Sequence, residues 1–429
     1  MRFLPALSSI TMISAVSFTV SLPLLSQGPI VSQDTLIGWA APAAPSTVGT
    51  LDVQSTQKCP PATRVCPQIL GQPQFSWAGG TAYDPRHQSV WVSDGAVLVE
   101  YQINGCKALC KQTPTLVLTS PVAKSSVTGL AISDRRSLLF QLEMISGNLA
   151  IVTYNNKNCP PLPISSCKMS MGGRDIAAGL AYDETRELLY FTISSLQAST
   201  NTWQTVLYQA PYNKPCNPTC KWVIPTKCST LPVNGLTYDA CSDMIYATDG
   251  QMTSQIQVVD PKACKFSLVA CCKKQLTGDW RGLAVIPEWS IKRVGRPCIG
   301  KPCAACNNMV HLLAGGDSSL GNPDFALTLS NAPANQIGVC YIKIGTAGPP
   351  IQPPFLCGPF YAFPPAIFVV QVLPGALPCG GLGNVPLPIP NTQKLCGLTL
   401  TSQWLVVCTQ GSAFGFSLSN AVEFTLASS

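Results

Sequence analysis

Four aspartates, Asp94, Asp175, Asp249 and Asp279, fall in short loops beside a glycine, an arginine or a tryptophan. Two such carboxylates facing one pocket could hydrolyse a glycoside, one protonating the leaving oxygen while the other attacks or activates water. Trp77, Arg174, Asn234, Trp280 and Arg281 stand near them in sequence, and such aromatic and charged side chains converging on a mouth could bind a glycan, a peptide or a cation. Nothing in the spacing selects one carboxylate pair over another. The chain has two histidines, and neither His87 nor His311 falls into a Ser-His-Asp or His-cluster pattern. The Gly79-Gly80 and Gly172-Gly173 pairs open strand-like runs and cradle no phosphate. Cys298, Cys303 and Cys306 with His311 could make a tetrahedral zinc site. In a chain with 21 cysteines and no second Cys-x-x-Cys knuckle, disulfides are the better reading of these thiols.

The elements that must position these residues announce themselves by repetition. Gly80-Thr81-Ala82-Tyr83-Asp84 is followed by Val90-Trp91-Val92, and Gly129-Leu130-Ala131-Ile132-Ser133-Asp134 by Leu138-Leu139-Phe140. The unit returns as Gly179-Leu180-Ala181-Tyr182-Asp183 with Leu188-Leu189-Tyr190, as Gly235-Leu236-Thr237-Tyr238-Asp239 with Met244-Ile245-Tyr246, and as the weaker Gly282-Leu283-Ala284-Val285-Ile286. The glycines are 49, 50, 56 and 47 residues apart, a period that with strand-rich units predicts a β-propeller. The first strand of a blade lines a crowded channel, so small residues at its start let neighbours approach. The aspartates that follow read as turn formers rather than catalytic groups.

Cysteines repeat with the same period. Cys106 and Cys110, Cys159 and Cys167, Cys216 and Cys220, and Cys264 with Cys271 or Cys272 lie between strand-like runs, and Cys59 and Cys66 make a fifth pair ahead of the first glycine unit. Each pair is expected to staple its own outer turn. Because outer strands precede the first inner strand, Leu51 to Ser55 and Gln68 to Leu70 are expected to complete the blade begun by Trp280 to Val294. This count gives five blades, with six as the alternative. The Gly-Leu-Ala-Tyr-Asp unit and its following strand resemble the NHL and YVTN families of β-propellers. The resemblance implies a channel-centred binding surface and extracytoplasmic or scaffold roles, and relatives that are lactonases or lyases offer no catalytic signature to transfer here.

Composition sets the surroundings. Hydrophobic residues make up 46% and charged residues 11% of the 429, which excludes a disordered chain, and 33 Gly with 38 Pro favour short strands and turns over long helices. Residues 1–28, uncharged from Phe3 to Leu25, read as a secretory signal, and 29–49 as a propeptide or linker. No other stretch is long and apolar enough to span a membrane, and the net charge of +7 is scattered, which argues against nucleic acid. The propeller is expected over 50–297, a cysteine-rich joint over 298–314 and a β-sandwich over 315–429. Leu387-Pro-Ile-Pro-Asn391, Gly397-Leu-Thr-Leu, Gln403-Trp404-Leu405 and Leu418-Ser-Asn-Ala421 look like a C-terminal module found on assorted secreted bacterial proteins.

The all-β, disulfide-stabilised chain is thus expected to be a secreted or cell-surface module for binding, adhesion or assembly, with a protein or glycan as partner and no cofactor. Its ligand site is expected at the channel mouth, from Trp77, Asp94, Arg174, Asp175, Asn234, Asp249, Asp279, Trp280 and Arg281. The alternative is a hydrolase or lyase acting there on a glycan or lactone, for which Ca²⁺ at the mouth would speak. The odd cysteine total predicts a free thiol or an intermolecular bridge, hence self-assembly through that cysteine or the C-terminal domain.

Overall fold

The computed structural model describes residues 35–427 apart from 41–48, 56–62, 70–78, 86, 88, 103–105, 120–124, 229–230, 274–279, 287–290, 298–305, 307–308, 317, 354–355 and 409–414. Residues 35–69, 228, 273, 291–292 and 393 are described by backbone alone. The expected signal lies outside the described residues, as do Trp77, Asp279 and Cys59.

Among the described residues the chain is strand throughout, with two short 3-10 turns and no α-helix. The N-terminal strands are Thr35–Ala40 (β1), Gly49–Ser55 (β2) and Thr63–Ile69 (β3). A first four-stranded antiparallel sheet holds Gly80–Asp84 (β4), Ser89–Ser93 (β5), Leu98–Gln102 (β6) and Ala108–Gln112 (β7). A second has Ser126–Ser133 (β8), Leu138–Ile145 (β9), Asn148–Asn155 (β10) and Leu162–Ser170 (β11). The third has Ile176–Asp183 (β12), Leu188–Gln197 (β13), Thr202–Pro211 (β14) and Cys220–Val223 (β15). The fourth has Gly235–Asp239 (β16), Met244–Thr248 (β17), Met252–Asp260 (β18) and Lys265–Lys273 (β19). Trp280–Ile286 (β20) then pairs with β1, and the closing sheet runs β20-β1-β2-β3.

The glycine of each unit explains how these sheets meet. A Cβ on Gly80 would sit 2.9 Å from the Leu130 nitrogen, and one on Gly129 would sit 2.9 Å from the Gly179 carbonyl carbon. The same contact follows from Gly179 to Leu236, from Gly235 to the Gly282 Cα at 2.8 Å, and from Gly282 to the Thr81 nitrogen at 2.5 Å. The fifth contact returns to the first strand, so β4, β8, β12, β16 and β20 pass one another in a closed ring. The arrangement is β-propeller-like. The second strands behind the ring are covered on both faces by neighbouring sheets, which is why Val90-Trp91-Val92 and Met244-Ile245-Tyr246 are apolar without alternation.

Three expectations change here. The closing sheet takes three N-terminal strands, and its second position is filled by Thr35–Ala40, inside the stretch read as propeptide or linker. Because β1 occupies the edge of β20, the strand expected to follow in the ring has no edge to join. Ile291–Val294 (β21) pairs instead with a strand near the C-terminus. The cysteine pairs do not staple single turns. Cys110 bonds Cys159, Cys167 bonds Cys216, and Cys220 bonds Cys264, so each of these bridges joins the outer strand of one sheet to the next sheet. The closely spaced partners, such as Cys106 and Cys110, sit on opposite sides of their sheet. Cys110 packs toward the second sheet with Trp91 and Leu98, whereas Cys106 packs toward the closing sheet with Val90 and Val92.

The C-terminal strands are Val310–Ala314 (β22), Ala326–Ala332 (β23), Ile337–Ile344 (β24), Ile367–Val372 (β25), Gly381–Pro386 (β26), Thr399–Cys408 (β27) and Gly415–Thr425 (β28). They form a five-stranded sheet β21-β28-β27-β24-β25 and a three-stranded sheet β22-β23-β26 that share one core, with Leu327, Val385, Ile342, Trp404 and Phe424 inside. The stretch read as a joint supplies β22. His311 in that strand is no metal ligand: its Nδ1 lies 2.8 Å from the Thr328 carbonyl oxygen, which must accept, so Nε2 accepts from the Ser402 hydroxyl at 2.6 Å. Cys306 is bonded to Cys379, and Cys396 is bonded to Cys241 on the β16–β17 turn. Among the described residues the one free thiol is Cys340, buried in the core between the two sheets. It has no access to another molecule, so a covalent assembly through it is ruled out.

Two outcomes test this packing. Gly235→Ala should destabilise the fold by at least about 2 kcal/mol, because backbone atoms of the neighbouring strand leave no room for a methyl group; a thermal melt reads it as a lowered midpoint. Burial holds the His311 imidazole down at about 4. The unfolded chain therefore takes up a proton that the folded chain refuses, and stability should fall as pH drops from about 6.5 toward 4. Urea unfolding midpoints across that window check the slope, which His311→Gln should flatten.

Candidate functional site

The channel inside the ring decides what the expected mouth can do. At the level of the five glycines the strands leave no space even for water. Beyond them, toward the ends of the inner strands, opens a cavity of about 80 Å³. Its rim is the third residue after each glycine, Tyr83, Ile132, Tyr182, Tyr238 and Val285. Small-molecule sites usually occupy about 300 Å³ or more, so this space suits a few waters rather than a sugar.

The residues expected at the other mouth are mostly engaged in holding loops. Asp94 Oδ1 accepts from the backbone N–H groups of Ala96 and Val97, both at 2.9 Å. Asp249 Oδ1 does the same for Gln251 and Met252 at 3.0 and 2.8 Å. Both Asp-Gly loops are therefore the same Asx turn. Asn234 is buried, and its amide donates to the Asp249 carbonyl oxygen at 3.4 Å. Trp280 is fully buried against Met244, Tyr246 and Leu283, and its backbone N–H reaches the Gly250 carbonyl oxygen at 3.3 Å. Asn234, Asp249 and Trp280 thus meet at one seam between the fourth and closing sheets. Asp175 accepts from the Gly172 N–H at 2.8 Å in a separate turn, where Arg174 is exposed, and Arg281 is half-buried on β20.

Charged groups gather instead at the opposite end, on the turns after the inner strands. Asp183 and Asp239 accept the N–H groups of their own turns, as expected, but in the second unit Ser133 takes this role and Asp134 lies one residue further on. Arg186 donates to Asp183 at 2.8 Å, to Asp243 at 2.8 and 2.6 Å and to the Tyr238 hydroxyl at 2.9 Å, which ties the third sheet to the fourth. Burial raises the Asp183 carboxyl despite these bonds. Glu184 accepts from the Ser133 hydroxyl at 2.9 Å and the Asp134 N–H at 3.2 Å, tying the third sheet to the second, and burial pushes its carboxyl up to about 7. Asn156 donates to Asp84 at 2.9 Å across the first and second sheets.

Among the described residues one group could hold a metal. Asp84, His87 and Glu100 each bring a ligand atom to within 4.8 Å of the others. His87 Nδ1 lies 2.9 Å from Glu100 Oε1 and 3.7 Å from Asp84 Oδ2, and the Ser89 hydroxyl donates to Glu100 at 2.5 Å. The imidazole suits a zinc-class ion better than calcium. The three side chains also satisfy one another by hydrogen bonds and opposite charge. The sequence pattern gave no reason to bring Glu100, 13 residues further along the chain and on the third strand of the sheet, against His87. Buried Glu143 was also missed: its two oxygens accept from the Val117 and Leu118 N–H groups at 2.9 Å and seat the segment before the second sheet.

The chain matches no family model and no curated protein. Solved structures similar to it include a nidogen/laminin complex, at 12% identity and a TM-score of 0.33, covering 58% of this chain and 98% of that one. A protein from Lactobacillus plantarum has 8% identity and a TM-score of 0.30, covering 93% and 97%. The periplasmic gluconolactonase of Pseudomonas aeruginosa has 8% identity and a TM-score of 0.34, covering 91% and 99%. Likenesses this slight decide neither a substrate nor a partner.

Glu184 gives a prediction with a definite sign. Between about pH 4.5 and 7 the folded chain keeps a proton that the unfolded chain releases, so this residue lowers stability as pH rises through that window. Glu184→Gln should raise the unfolding free energy near pH 8 by on the order of 2–3 kcal/mol and leave it nearly unchanged near pH 4. Denaturant titrations at both pH values check it.

Proposed function

We propose that the protein is a secreted or cell-surface binding and assembly module, built as a five-bladed β-propeller closed by N-terminal strands and followed by a β-sandwich that carries the contact surface. The observation that supports this most is the outer face of the five-stranded sheet. On β25, Phe368, Val370 and Val372 are 64%, 57% and 62% exposed. Directly across on β24 stand Tyr341, Val339 and Ile337, and Leu405 and Val407 continue the same face on β27. An antiparallel sheet with one face in water ordinarily carries polar residues there. This sheet is apolar on both faces, and a contiguous apolar patch marks a protein contact. A loop of the same chain covers one corner, where Phe360 packs on Tyr341, and the rest stands open.

The occupant we favour is a second copy of the chain, since the residues that meet across β24 and β25 on this face, Ile337, Val339 and Tyr341 with Val372, Val370 and Phe368, are all uncharged and an apolar patch can complement itself about a two-fold axis. The bridges between sheets and the absence, among the described residues, of a helix long and apolar enough to cross a membrane fit an extracellular setting. The competing reading, a glycan or lactone hydrolase at the channel, would need several times the cavity volume present.

Light scattering of the purified chain tests the proposal. The wild type should form dimers or larger species at micromolar concentration, and the Phe368→Asp, Val370→Asp variant should be monomeric with an unchanged thermal midpoint. A wild type that stays monomeric would sink the assembly reading.

A further inference from the structure

The three bridges between sheets follow one rule. Cys110 lies in β7, Cys167 in β11 and Cys220 in β15, each the outermost strand of its sheet. Each bonds a cysteine in the turn just before the outermost strand of the next sheet: Cys159 before β11, Cys216 before β15, Cys264 before β19. The cysteine in the outer strand faces that next sheet. Cys110 packs with Val127 and Tyr154 of the second sheet, Cys167 with Phe191 and Tyr208 of the third, and Cys220 with Ile245 and Phe266 of the fourth.

Among the described residues the rule has one further application, beside the closing sheet. Cys66 lies in β3, the outermost strand there. Its register runs Cys66 to Leu51 to Trp39, and Trp39 shares its face with Ile37, which pairs with Ala284. Ala284 packs against Val90 and Val92 of the first sheet, so Cys66 is on the face toward that sheet. Before the outermost strand of the first sheet stands Cys106, which is disulfide-bonded and packs at that same interface.

We infer that Cys66 bonds Cys106, which carries the rule across the interface between the closing sheet and the first sheet. The bond forms when two thiols give up two protons and two electrons to a disulfide donor, which leaves as two thiols. It ties the closing sheet, where strands distant in sequence meet, to the start of the ring.

Tryptic digestion of the full chain, alkylated without reduction and followed by mass spectrometry, separates the outcomes. Cleavage after Arg64 and Lys107 parts Cys59 from Cys66 and Cys106 from Cys110. The expected product is the Cys66 peptide joined to the Cys106 peptide. A Cys59–Cys66 bond, a Cys106–Cys110 bond, or a Cys66 peptide joined to any other would overturn the inference.

Discussion

Five backbone contacts without side chains hold the rest of this structure in place. Each inner strand carries a glycine where a Cβ would run into the next strand, and the fifth contact, Gly282 against Thr81, closes the circle. A ring drawn this tight has two consequences. The channel is shut at the glycines and leaves about 80 Å³ beyond them, so the side chains that make specific contacts are pushed outward. The sheets must also fan out from the ring, and their outer strands need something other than the channel to hold them.

Polar groups and sulfur meet that need at different radii. Near the ring, buried carboxylates reach from one sheet to the next: Glu184 to Ser133, Asp84 to Asn156, and Asp183 through Arg186 to Asp243. At the rim, disulfides join outer strands that are exposed on most of their length, as β11 is. Apolar packing fills the space between, with separate clusters at each interface of neighbouring sheets.

The repeat made the all-β ring legible because its demands are local: a glycine for close approach, a short apolar strand, an aspartate to turn the chain. The cysteine spacing was visible too, but nearness in sequence pointed to Cys106 with Cys110. Residues on opposite faces of a strand cannot meet, and face depends on register, which the bulge at Glu100 and Tyr101 alters. The strand Thr35–Ala40 was hidden because its place depends on the free edge of β20, near the far end of the ring in sequence, rather than on its own pattern. The expected mouth residues meet a different limit. Asp94 and Asp249 do sit in matching loops, yet an Asp-Gly pair reads the same whether its carboxylate faces a ligand or its own turn. Ser137, Glu187 and Asp243, which share a left-handed φ at one position of three units, carry no glycine to advertise it.

The Cys241–Cys396 bond joins the β16–β17 turn to the C-terminal strands at a point distant in sequence from the peptide that runs on from β20. Among the described residues the ring and those strands are therefore linked by sulfur as well as by peptide. Tension applied to the C-terminal strands reaches the ring at the β16–β17 turn as well as at β20, so the load is shared by two neighbouring sheets. A load carried at two points is spread, whereas one carried at a single point falls on one strand.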